Sequence, residues 1–141
     1  MERILFVCIG NICRSPIAEA ITREKQRGRA RVESAGIAAL EGHPPPPEAI
    51  EAAREHGLDL TAHRARFAGD LDLESYDRII ALTPAIAARL IETFRVAAEK
   101  LLVLDIEDPY GDDLDAYRAC VSQLDEALGL HFPESFDRGG R

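Results

Sequence analysis

Ile4 to Ile9 is an unbroken aliphatic run without alternation, which predicts a strand buried on both faces, as at the centre of a parallel sheet. Gly10 and Asn11 break the run, and Ser15-Pro16 predicts a helix start, because Ser is a favoured N-cap and Pro is tolerated at the first helical position. Ile17, Ala20 and Ile21 form one face of a helix reaching about Gln26, and Gly28 closes it. Arg23, Lys25 and Arg27 suit the negative end of that helix dipole and read as a solvated helix end. Arg31 to Ala35 predicts a short second strand stopped by Gly36, and Pro44 to Pro47 a polyproline-like loop. Glu48 to His56 has helical spacing and stops at Gly57, whereas Leu58 to Glu74 is irregular and polar. Arg78 to Leu82 is a third strand, followed by a helix capped by Thr83-Pro84 and running to about Phe94. Lys100 to Leu104 is a fourth strand. A loop containing Asp108-Pro109-Tyr110-Gly111 then leads to a last helix, about Leu114 to Leu128, with Leu114, Tyr117, Val121, Leu124 and Leu128 on one stripe and Cys120 beside it. The tail from Phe132 is expected to fray.

Strands alternating with helices predict one α/β domain: a four-stranded parallel sheet flanked by helices in three layers. A length of 141 residues fits a single domain over 1–141, and no internal repeat or linker interrupts it. Ligands bind such sheets beyond the carboxyl ends of the strands, so the loops after strands one and four carry the candidate chemistry.

Charge narrows the partners. The net charge of −8 disfavours duplex DNA and anionic membranes, which select basic surfaces, and favours small or neutral-to-basic substrates. Cys8, Cys13 and Cys120 are an odd set with no disulfide framework. The N-terminal apolar run is too short and wrongly flanked for a signal peptide, and no run approaches the ~18 residues of a membrane span. A reducing cytoplasm is the expected compartment. Weak self-association stays open.

Residues 8–15 read CIGNICRS: a Cys at a strand end, five residues, then an Arg at a helix start. Arg occurs 15 times in 141 residues, so that spacing by itself arises easily by chance. The context adds weight. A tight turn from strand to helix turns successive N–H groups inward as an anion nest, and the helix start adds its unsatisfied donors. Arg14 can clamp two phosphoryl oxygens, and Gly10 and Asn11 tolerate the backbone such a turn needs. At the base of such a cradle, Cys8 has the surroundings that favour a thiolate, and the Ser15 hydroxyl can donate to it. A thiolate in an oxyanion cradle is a nucleophile aimed at phosphorus. Read by itself, Cys8 is equally a buried structural cysteine. Asp108, in the loop after strand four, is placed to protonate a leaving oxygen, and Pro109 fixes its backbone. Read by itself it is a turn residue.

VCIGNICRSPIAEA resembles the phosphate-binding loop of the low-molecular-weight protein tyrosine phosphatases almost residue for residue. The likeness continues through Ser34-Ala35-Gly36, His63-Arg64-Ala65-Arg66, Tyr76-Asp77-Arg78 and Asp108-Pro109-Tyr110, nearly the whole chain in the family's order. The resemblance implies Cys8 as nucleophile, Arg14 as phosphate clamp and Asp108 as general acid. It also implies a loop of Ile9, Gly10, Asn11, Ile12, Cys13 and Ser15, supported by Ser34 and His63. Ile12, Leu40 and Tyr110 would border the substrate cleft. The implied reaction is hydrolysis of a phosphoprotein or small aryl phosphate through a phosphocysteine, releasing inorganic phosphate. No cofactor or metal is implied, and no Cys/His cluster offers ligands for one. A reversible Cys8–Cys13 disulfide would resemble family behaviour, with a small loop-packing residue as the alternative. His43, His56 and His131 match no role.

Three relatives of the fold compete. A protein arginine phosphatase resembles this chain in having one aromatic followed by Gly after Asp-Pro, but has Thr where Ile12 stands; Ile12 favours a tyrosine ester. A thiol-coupled arsenate reductase needs a downstream resolving pair, and no Cys lies between Cys13 and Cys120. A sugar-transport phosphocarrier module also holds a phosphocysteine, but needs neither Arg14 nor Asp108. The chain departs from the family in IAALEGHPPPPEAI, which lacks the rim aromatic and has four prolines, in Leu82-Thr83 where many members have Met-Asp, and in Gly111. These differences bear on substrate preference and leave Cys8, Arg14 and Asp108 in place.

Overall fold

In the computed structural model, which describes residues 1–133, strand β1 (Glu2–Cys8) runs through the middle of the molecule. Ile4, Leu5, Phe6 and Val7 are fully buried, because parallel neighbours lie on both sides and helices cover both faces. The other elements are α1 (Arg14–Lys25), β2 (Ala30–Gly36), α2 (Pro47–Arg54), β3 (Arg78–Ala81), α3 (Pro84–Glu92), β4 (Leu101–Val103) and α4 (Leu114–His131). The sheet order is β2-β1-β3-β4, with every pair parallel. Helix α4 packs on α1 and α2, and α3 packs on β3 and β4, giving three layers. Chain order reverses direction across the sheet at β1, so a crevice opens beyond the carboxyl ends of β1 and β3.

Several predicted boundaries shift for physical reasons. Strand β1 stops at Cys8, and Ile9 is already half exposed in the loop. Helix α1 begins at Arg14, with Cys13 in the N-cap position and no side-chain cap; the Ser15 hydroxyl, the expected cap, is used elsewhere. The polyproline stretch is one residue shorter than predicted, because Pro47 is the first residue of α2, where a missing N–H costs nothing. Pro46 keeps the polyproline backbone, φ −62° and ψ 153°. The irregular segment contains 3₁₀ turns at Ala68–Asp70 and Leu73–Ser75. Thr83 does cap α3, its hydroxyl accepting from Ile86 N at 3.2 Å. Helix α4 runs to His131, past the predicted end, with Asp113 as its cap and Tyr117, Cys120, Val121, Leu124 and Leu128 buried.

The tail expectation needs correcting at its first residue. Phe132 is 2% exposed, packed edge-on against Phe6 at 6.4 Å between ring centroids and covered by the Arg78 guanidinium. The remainder of that expectation, from residue 134, lies outside the described residues.

Candidate active site

Register fixes the base of the site. Cys8 pairs with Gly36, so β1 and β2 end level and the loop 9–13 folds back over the end of β2. Ala38 N donates to Ile9 O at 2.9 Å and Ile37 N to Cys8 O at 3.0 Å. A β-carbon on Gly36 would lie 2.4 Å from Ile9 O and 3.0 Å from Asn11 N, so only glycine lets the loop descend this far. In the sequence Gly36 stands as a strand stop and as part of the Ser34-Ala35-Gly36 motif; that it is a contact point for the loop emerges from the fold.

Asn11 is the hinge of the loop. It is fully buried with φ 56°, in the left-handed region that Asn tolerates better than most residues. Its Nδ2 donates to Ser15 Oγ at 2.8 Å and Ser34 Oγ at 2.9 Å, and its Oδ1 accepts from Arg66 N at 2.8 Å. Its carbonyl accepts from His63 Nε2 at 2.7 Å, which fixes the ring proton on Nε2. Burial lowers the His63 pKa and keeps the ring neutral, partly offset by that hydrogen bond. Ser34 Oγ in turn donates to Glu19 Oε1 at 2.5 Å. The structure therefore brings Ser34 and His63 to the loop, and adds Arg66 and Glu19, which carried no assigned role in the sequence. Their one signal was position: Arg66 lies in the same short motif as His63.

These bonds direct donors at the sulfur. Asn11 N donates to Cys8 Sγ at 3.2 Å, and Ser15 Oγ stands 2.9 Å from it. With Asn11 Nδ2 donating into Ser15 Oγ, the hydroxyl proton can go to the sulfur at 2.9 Å or to the more distant Ala35 O at 3.5 Å. The backbone N–H groups of Gly10, Ile12 and Cys13 have no acceptor among the described residues, and all three residues line the cavity above Cys8. An oxyanion there would meet unsatisfied donors.

Arg14 is 3% exposed. Its Nη1 donates to Ile106 O at 2.9 Å and its Nη2 lies 3.5 Å from Asp108 Oδ2, so the start of α1 is stitched to the loop after β4. Asp108, its side chain 44% exposed, accepts from Tyr110 N at 3.1 Å, which orients the carboxylate. Cys8, Ile9, Gly10, Ile12, Cys13, Arg14, Asp108 and Tyr110 enclose a cavity of about 200 Å³. Leu40 is exposed and is not among its lining residues. Cys13 Sγ lies 3.7 Å from the Tyr117 hydroxyl, and burial pushes its pKa up to about 12. Burial does the same to Cys120, and all three cysteines are free thiols. His43, His56 and His131 are absent from the cavity wall.

A thiol at the end of a central parallel strand, a donor-lined loop, an arginine fork and an opposed carboxylate together define a cysteine-dependent phosphatase. The family model for low molecular weight phosphotyrosine protein phosphatase matches residues 3–138, and the chain belongs to that family. It is 34% identical over 141 residues to a probable low molecular weight protein-tyrosine-phosphatase, EpsP, of Ralstonia nicotianae, covering 94% of this chain and 95% of that one. It is also 34% identical to a protein-arginine-phosphatase of Geobacillus stearothermophilus, covering 89% and 90% of the two chains. The solved low molecular weight protein tyrosine phosphatase of T. tengcongensis superposes with a TM-score of 0.84 at 34% identity, over 91% of this chain and 95% of that one.

Proposed function

We propose that the protein hydrolyses phosphotyrosine in proteins through a phosphocysteine intermediate, as a single cytoplasmic catalytic domain. The observation that carries this reading is the shared cavity of Cys8, Arg14 and Asp108, groups supplied by two loops far apart in sequence. The Cys8 thiolate attacks phosphorus in line while Arg14 and the free loop N–H groups hold the equatorial oxygens. The P–O bond to the leaving group breaks, and Asp108 gives that oxygen its proton. Asp108, now a carboxylate, takes a proton from water as the water attacks phosphorus. The S–P bond breaks, inorganic phosphate departs and the thiolate is restored. Asn11, Ser15, Ser34 and His63 act as positioning residues for the loop.

The Ile12 side chain supplies apolar surface to the cavity and no hydrogen-bonding group, which suits an aromatic ester better than a guanidinium. A second reading, a protein arginine phosphatase, is favoured by Gly111. It takes φ 86°, so the aromatic that family members often carry there would be strained, and the rim beyond Tyr110 stays open. Rates on phosphotyrosine and phosphoarginine peptides, measured side by side for wild type and Ile12→Thr, separate the two. Faster turnover of phosphotyrosine by the wild type, with Ile12→Thr shifted toward phosphoarginine, supports the first; the reverse wild-type preference supports the second. Hydrolysis of p-nitrophenyl phosphate should be abolished in Cys8→Ser, and undiminished turnover there would refute both.

A further inference from the structure

At the amino ends of β3 and β4, the pole opposite the catalytic loop, lies a second cavity of about 360 Å³, a volume typical of small-molecule sites. Two segments wall it, and each brings one sign of charge. The segment ahead of β3 contributes Asp72 and Glu74; the segment between α3 and β4 contributes Arg95 and Lys100. Leu71 and Leu73 from the first, with Phe94 and Val96 from the second, supply apolar surface.

Lys100 is already engaged. Its Nζ donates to Glu74 O at 2.5 Å and Tyr76 O at 2.9 Å, tying the two walls together. The side chains of Asp72, Glu74 and Arg95 make no hydrogen bond or ion pair among the described residues. Opposite charges thus border one cavity without closing on each other.

Arg95 also holds an unfavourable backbone. Its φ is 62°, just beyond the end of α3, where Val96 N donates back to Leu90 O at 3.0 Å. Glycine is the usual residue for a left-handed position after a helix, because a β-carbon is strained there. Strain at a long cationic side chain on a cavity wall points to a side chain that has work in that cavity.

We propose that this cavity binds a small zwitterion with an apolar body, of the apolar α-amino acid class. The Arg95 guanidinium takes the carboxylate as a bidentate pair. Asp72 and Glu74 hold the ammonium, and the side chain lies against Leu71, Leu73, Phe94 and Val96. A lone anion would meet the acids, and a lone cation would meet Arg95; only a ligand with both charges complements both walls.

Calorimetric titration of the intact protein with L-phenylalanine tests this, alongside phenylpropionate, which lacks the ammonium, and phenethylamine, which lacks the carboxylate. The expected result is saturable one-to-one binding of L-phenylalanine, with each truncated compound weaker by roughly tenfold or more. Arg95→Gly should melt at a higher temperature than wild type, since the strain is relieved, while its affinity for L-phenylalanine falls at least roughly tenfold. Cys8→Ser should bind as wild type does, which separates this cavity from the catalytic one. Absence of saturation up to ~10 mM, equal binding of the truncated compounds, or wild-type affinity in a folded Arg95→Gly would overturn the proposal.

Discussion

Replacing Asn11 gives a graded test of how the catalytic loop is held. Its side chain makes three buried hydrogen bonds, to Ser15 Oγ, Ser34 Oγ and Arg66 N, at 2.8–2.9 Å. Each is worth about 1 kcal/mol net, and their loss strands buried partners, so Asn11→Gly should cost about 3 kcal/mol. Asn11→Ala loses the same bonds and also keeps a β-carbon at φ 56°, adding about 1 kcal/mol more. Against a total stability of ~5–15 kcal/mol both variants stay folded, with melting temperatures lowered by roughly 3 °C per kcal/mol. Urea denaturation of the wild type and both variants measures the two steps separately, at constant m-value. The kcat/KM for p-nitrophenyl phosphate should fall in both, because Asn11 N reaches Cys8 Sγ only from this backbone. Equal stability of the Gly and Ala variants would remove the backbone-strain argument. A loss below ~1 kcal/mol in both would show that the network does not hold the loop.

Three further outcomes follow from the same geometry. Asp108→Ala should slow aryl phosphates with poor leaving groups most, steepening the dependence of rate on leaving-group pKa; equal slowing of all esters would remove Asp108 as the acid. The His63 pKa lies below its usual value of 6.5, so the unfolded chain binds the extra proton first as pH falls. Folding stability is then fully present above about 6.5 and is lost as pH drops from there toward the folded-state pKa; denaturation across pH should show this slope, and His63→Gln should flatten it. Gly36→Ala should destabilise the fold by about 1–3 kcal/mol and suppress activity, because its β-carbon meets backbone at 2.4 Å rather than a movable side chain; thermal melting with a turnover assay checks both.

Much of the architecture was legible in local order. The Ile4–Ile9 run, the Thr83-Pro84 cap and the α4 stripe each announce their element, because burial and capping act over a few neighbouring residues. Element ends were less legible. Ser15 has the chemistry of an N-cap, but its hydroxyl turns to Cys8, and nothing within the helix sequence shows that competition. Phe132 stands at the start of the expected tail, yet the ring of Phe6 and the guanidinium of Arg78 packed against it make it core.

The sequence by itself determined the loop CIGNICRS, its place between a buried strand and a helix, and the Asp-Pro-Tyr turn after the fourth strand. Those features depend on contiguous residues, and a nest, a helix start and a turn are all short-range structures. Only the tertiary structure decided how they combine. The ion pair of Arg14 with Asp108 joins two loops, and the grip of His63 and Arg66 on Asn11 crosses 52 and 55 residues of chain. The Cys13–Tyr117 contact spans 104. Hydrogen bonds between such distant groups leave no periodicity in the chain. They exist because parallel pairing brings the ends of β1, β2 and β3 level, and that register is set by the packing of the whole sheet.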